Sequence, residues 1–129
     1  MRKLLILTTL IFSVMFSSTS FAEWKEVGES VRATFYVDFE RIRKHDGYVY
    51  YWRLSDYLKP TKYGTLSVKI YEQADCKKFR YKWLSGTFHK EPMGGGIGET
   101  FNTPDKKWDY PPPDSPFETI LKSVCQYAR

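Results

Sequence analysis

Few residues in this chain could carry covalent chemistry. It holds two cysteines, Cys76 and Cys125, and two histidines, His45 and His89. A thiol nucleophile works through an adjacent base, and neither histidine stands in a recognisable nucleophile motif. Residues 94–98 read Gly-Gly-Gly-Ile-Gly. They lack the Lys-Ser/Thr of a phosphate-cradling loop, and Glu99 stands where a dinucleotide fingerprint needs glycine. Glu72 falls in the apolar phase of its strand. It reads as an edge carboxylate partnered by a nearby Lys or Arg, not as a catalytic acid. With no carboxylate pair in a motif and no metal-ligand cluster, the chain reads as a non-enzyme without cofactor or metal.

Binding chemistry is better represented. Lys69, Tyr71, Arg80 and Lys82 share the phase opposite the apolar one in two neighbouring strands, and Lys77 and Lys78 cap the turn between them. On a sheet covered by one helix, that phase faces solvent. It should form a basic surface with an aromatic centre, where Arg and Tyr are residue types that carry binding energy. Such a surface suits an acidic partner, and binding to it weakens as salt rises. Solvated, solubilising charge is the plainer alternative.

Two elements position these residues. Ser115-Pro116-Phe117-Glu118 predicts a helix start, with Ser115 as cap, Pro116 in the first turn and Glu118 closing a capping box. Phe117, Ile120, Leu121, Val124, Cys125 and Ala128 then recur on one helical face, which turns Cys125 inward. Cys76 ends an alternating run, Leu66, Val68, Ile70 and Ala74, whose members share one face of a strand. Each cysteine thus lies on the buried side of its own element, as a helix stapled across a sheet requires. Two cysteines in an oxidising compartment read as one disulfide. It would close a loop of about 50 residues, worth roughly 4 kcal/mol in the chain-entropy model.

The other elements are strands. Trp24 to Gly28 reads as a short edge strand, and Val31, Ala33, Phe35, Val37 and Phe39 as the inner side of the next. Asp46-Gly47 predicts a tight hairpin between Arg41–His45 and Tyr48–Leu54. There Arg43 would face Tyr50 and Arg41 would face Trp52, as a cation–π ladder; which side of the 41–54 hairpin is buried stays open. Ser55 to Gly64 reads as a loop. A strand from Phe79 to Phe88 follows Lys77-Lys78, with Phe79, Tyr81 and Trp83 facing one way; a tight turn puts Cys76 opposite Phe79, though poor turn chemistry leaves a longer loop open. Glu91 to Asp114 is rich in Gly and Pro; its glycine run, residues 94–98, reads as a flexible loop, and stiff Pro111-Pro112-Pro113 aims the chain at the helix. The fold class is α+β: one domain, an antiparallel β-sheet meander packed by a C-terminal helix that one disulfide staples to it.

Met1 to Ala22 has the form of a secretory signal: Arg2 and Lys3, an apolar core of about 13 residues, then Ser20-Phe21-Ala22. The core is short of the roughly 20 residues that span a bilayer. Cleavage would leave a domain of residues 23–129, with no transmembrane segment and no cysteine at its start to carry a lipid. That mature chain has 18 basic and 15 acidic side chains, a net of +3, too mild for a nucleic-acid binder. A chain of this length makes one domain. Of the 23 aromatics in the full sequence, 20 lie in the mature part, 10 Tyr, 6 Phe and 4 Trp, and they supply the bulk of a core.

An ordered set of short motifs runs through the mature chain: Tyr36-Val37-Asp38, Gly47-Tyr48-Val49 leading to Trp52, Ser67-Val68-Lys69, Asp75-Cys76, the glycine run, Trp108, Pro113-Asp114-Ser115 and Val124-Cys125. In order and spacing it resembles the surface-adhesin protein E family. The resemblance implies a small exported bacterial protein, in the periplasm or at the outer cell surface. It also implies an antiparallel sheet and a C-terminal helix joined by a disulfide. The family's named member binds host matrix proteins such as vitronectin and laminin, so the implied partner is a host extracellular matrix protein, with an anionic glycan as a second candidate and an oligomer left open. A structural or stress-related envelope protein is the alternative function, and an enzyme inhibitor a further one. A lysozyme inhibitor fits the size, but its strongly basic target would be repelled by a +3 chain.

Overall fold

The computed structural model describes residues 22–129, so all of the predicted leader but Ala22 lies outside the described residues. Seven strands form one antiparallel sheet: β1 (Trp24–Glu29), β2 (Ala33–Asp38), β3 (Arg43–His45), β4 (Tyr48–Tyr57), β5 (Ser67–Asp75), β6 (Arg80–His89) and β7 (Gly98–Phe101). The order across the sheet is β1-β2-β4-β5-β6-β7, with short β3 also pairing β4. Long strands pair with their neighbours in sequence, which keeps connections short. One helix, α1 (Pro116–Tyr127), follows.

The helix begins as its sequence dictates. Ser115 is extended, its Oγ accepts the Glu118 N–H at 3.2 Å, and Pro116 fills the first turn. Glu118 reaches back to the Asp114 N–H, 3.4 Å away, one residue earlier than an ideal box. Ile120, Leu121, Val124 and Ala128 are buried against Ala33, Phe35, Val37, Val49, Tyr51 and Ala74. Each large apolar side chain sealed there contributes roughly 1.5–3 kcal/mol. Cys125 is bonded to Cys76, with Cα atoms 5.8 Å apart.

Several local expectations are corrected. Val31 is 92% exposed, not inward. The Ser30 hydroxyl accepts the backbone N–H groups of Arg32 and Ala33, making a turn that delays β2 to Ala33. Arg41 does not face Trp52. A 3-10 turn at Phe39–Arg41 interrupts the strand, and the Arg41 Nε pairs instead with Asp38 at 3.3 Å. Arg43 does face Tyr50 in register, and Asp46 and Gly47 take the positive φ of the predicted turn. The hairpin buries Val49 and Tyr51 and leaves Tyr48, Tyr50 and Trp52 half-buried on the other side. β4 runs on to Tyr57 through the stretch expected as loop.

The β5–β6 turn is tight, as parity required, with the ladder closing at Asp75 opposite Arg80. Its missing turn residue is supplied by Asp75, whose Oδ1 accepts the Lys78 N–H at 3.3 Å. Residues 91–114 are not simply a loop. They contain a 3-10 turn at Pro92–Gly94, edge strand β7, and a bridge from Asp109 to Tyr81 on β6. Glu72 is no edge carboxylate: it is 1% exposed, on central strand β5, beneath α1.

Candidate functional site

The sheet has two faces, and the pairing register assigns every strand residue to one of them. Tyr51, Arg53, Glu72, Ala74 and Tyr81 lie on the helix face. Arg53 Nε meets Glu72 Oε1 at 2.6 Å, and the Arg53 guanidinium stands 6.0 Å from the Phe35 ring centroid and 5.6 Å from that of Phe117. Burial pushes the Tyr81 phenol up to about 12, with Glu72 and Asp109 adding to the effect, and it also holds the Tyr51 phenol well above its ordinary value. Arg53 holds its proton above the ordinary guanidinium value: burial acts against the charge, but Glu72 outweighs it. This polar group is sealed, with Glu72 and Arg53 at 1% and 6% exposure. It has no route to a substrate and works as part of the core.

The opposite face is where the sequence placed its candidate binding residues. Tyr48, Tyr50 and Trp52 project from β4, Tyr71 and Lys69 from β5, and Lys82 and Arg80 from β6. Tyr71 packs between Tyr50 and Trp52, with centroids 6.1 and 5.0 Å away. Trp108, held by the Asp109–Tyr81 bridge, lies across the end of the face and stacks on Tyr48 at 5.7 Å. Two cations rest on its ring: the Arg80 guanidinium at 4.4 Å and the Lys82 ammonium at 4.3 Å. The result is a band of half-buried aromatic rings bordered by fixed positive charge. Burial, and then its neighbours Tyr71, Asp46 and Tyr48, raise the Tyr50 phenol, so it stays a neutral hydrogen-bond donor at physiological pH.

Six residues were expected to form one basic surface, and the structure divides them. Lys82 and Tyr71 are in the band. Arg80 is too, but its Nε pairs with Asp75 at 2.9 Å and its Nη1 donates to the Tyr110 hydroxyl at 3.5 Å, so its charge is balanced internally. Lys69 extends its stem beside Gly94 and lines a groove of about 210 Å³ with Trp24, Asp38, Arg41, Trp52 and Thr87. Lys77 and Lys78 are exposed at the turn. Residues 91–96 cover the far end of the face: Ser67 Oγ donates to the Glu91 carbonyl at 2.6 Å and accepts the Gly94 N–H at 2.8 Å. Tyr48, Tyr50, Trp52 and Trp108 were not singled out as binding residues. The β4 alternation held that signal for three of them, once the buried side of the hairpin was known; nothing local places Trp108.

Residues 24–126 match the family model described as surface-adhesin protein E. The chain belongs to the surface-adhesin protein E family. Solved structures of Haemophilus influenzae protein E share its fold. Crystal form II is 17% identical, with a TM-score of 0.64 over 86% of this chain and 94% of that one. A second structure is 15% identical, with a TM-score of 0.60 over 84% and 87%. A selenomethionine form is 17% identical, with a TM-score of 0.62 over 84% and 89%. No curated protein matches the chain. Family membership makes this an adhesin-like protein of the exported, cell-surface class. Among the described residues, no helix is long and apolar enough to cross a membrane.

Proposed function

We propose that the protein is a non-enzymatic binding module displayed at the cell surface, and that its aromatic band docks on an acidic stretch of a host extracellular matrix protein. The observation that carries this reading is the Tyr48–Trp108 stack with the Lys82 ammonium on the indole, continuous with Tyr50, Tyr71 and Trp52 on the face that α1 leaves bare. Aromatic rings with few rotatable bonds supply contact area at low ordering cost, and a cation already held on a ring loses little further freedom on binding. Among the described residues Lys82 and Lys69 form no ion pair, so their charge is available to a partner.

The test is binding of purified, folded variants to immobilised matrix proteins at low and physiological salt. Lys82→Glu and Tyr71→Ala should each weaken binding roughly tenfold, and the loss from Lys82→Glu should shrink as salt rises. Variants that bind like the parent would remove this face as the site. Binding to a sulfated glycan with none to a matrix protein would overturn the partner class.

A further inference from the structure

The helix does not cover all of its own face. Past Phe35 and Tyr51 the same face continues as Tyr57, Val68, Phe88 and Phe101, and there a groove of about 750 Å³ opens to the surface. That size suits a small ligand. Val68, 4% exposed, forms part of its floor, and the Phe88 and Phe101 rings stand 5.0 Å apart along it. Gly86 lets Phe101 lie flat on the sheet, since a Cβ there would come 2.5 Å from the ring. Ile97 and Phe88 stay 95% and 42% exposed at the rim, so large apolar surface meets water where a ligand could cover it.

The groove also has a charged side. Lys62 and Lys90 line it, and neither forms an ion pair among the described residues. The Lys90 ammonium is held in place by donating to the Tyr63 carbonyl at 3.2 Å, and the Lys62 ammonium sits 5.0 Å over the Tyr63 ring. Glu99 is the single acid in the lining, leaving one net positive charge. An apolar trough with a net positive charge, carried by two ammonium groups that form no ion pair among the described residues, complements an unbranched apolar chain ending in an anion.

We propose that this groove binds a fatty-acid anion, with the acyl chain along Val68, Phe88 and Phe101 and the carboxylate at Lys62 and Lys90. The site lies on the face opposite the aromatic band, so it stands or falls independently of matrix binding. Calorimetric titration of the full mature chain with monomeric dodecanoate, dodecanol and dodecyltrimethylammonium reads the headgroup preference directly. Dodecanoate should bind tightest and the cation weakest. Across octanoate, decanoate and dodecanoate, affinity should rise roughly fourfold per methylene. Lys62→Glu, a change at an exposed loop, should weaken dodecanoate by roughly tenfold while leaving dodecanol unchanged. Amide shift changes should centre on Val68, Phe88 and Phe101.

Equal affinity for the three headgroups, or no dependence on chain length, would overturn the proposal. So would shifts confined to Tyr71 and Trp108. Tighter association with anionic phospholipid vesicles than with monomeric dodecanoate would replace it with a membrane-surface reading.

Discussion

Each face of the sheet carries an arginine that pairs with a carboxylate and rests against aromatic rings. On the helix face Arg53 meets Glu72 between Phe35 and Phe117; on the other, Arg80 meets Asp75 over Trp108. The parts are alike and their consequences are not. Arg53 and Glu72 are shut away from water, where an isolated charge is costly and the pair is tolerated only as a pair. The Arg80 side chain keeps 18% of its surface exposed, and water can take up whatever its partner drops. The same chemical unit is therefore a keystone on one face and an adjustable fitting on the other. Burial decides which.

The largest effect should come from breaking the sealed pair. Arg53→Met leaves Glu72 unpaired and should cost about 3–5 kcal/mol by chemical denaturation. Changing both partners, Arg53→Met with Glu72→Leu, should recover most of that loss. If the double variant is no more stable than the single one, the pair does not act as a unit. Next comes the staple between the helix and β5. Replacing Cys76 and Cys125 with serine should lower stability by up to about 4 kcal/mol, with two free thiols absent from the unreduced parent. Ser115→Ala, which frees one N–H at the start of α1, should cost about 1 kcal/mol.

Acid titration probes the open-face pair. Burial acts to raise the Asp75 carboxyl, but hydrogen bonds from Arg80 and the Lys78 N–H outweigh it and hold it below the ordinary carboxylate value. A carboxylate lowered on folding contributes stability that is present above its unfolded value of about 3.9 and lost as pH falls through the lower folded value. Asp75→Asn should therefore flatten the acid limb of the stability–pH curve below about pH 4 and leave neutral pH little changed in slope. The smallest stability effect belongs to Lys82→Ala, within about 0.5 kcal/mol, although the same change should weaken partner binding.

Much of the fold could be read before the structure. The β2 and β5 alternations, the Asp46-Gly47 turn and the Ser115 cap are local signals, each decided by a few residues, and they placed the helix face and the disulfide. What escaped was set by longer reach. Glu72 reads as an edge carboxylate with a Lys or Arg partner; the arginine partner is there, but Arg53 stands 19 residues away on another strand, so the burial of the pair escapes. β7 hides in a glycine-rich stretch because Gly98 has to lie close on β6, where a Cβ would come 2.1 Å from Thr87, so packing and not propensity selects it. Of the proposed binding surface, alternation alone exposed Tyr71, Lys82 and Lys69. Trp108 joins them only because Asp109 bridges to the edge of β6, a contact no periodicity encodes.

The disulfide has one more consequence, and it is mechanical. Cys76 directly follows β5 and Cys125 sits in the last turn of α1, 49 positions later. A stretching force applied at Trp24 and Arg129 runs through β1 to β5, crosses the sulfur bridge and leaves by residues 125–129. Everything from Lys77 to Val124, including β6, β7, Trp108 and Lys82, lies off that load path. With the bridge intact, roughly 160–180 Å of chain cannot be paid out by pulling. Trp108 and the two cations on its ring, Arg80 and Lys82, together with most of the lining of the proposed acyl groove, thus sit on a segment that tension cannot reach until a thiol cuts the ring.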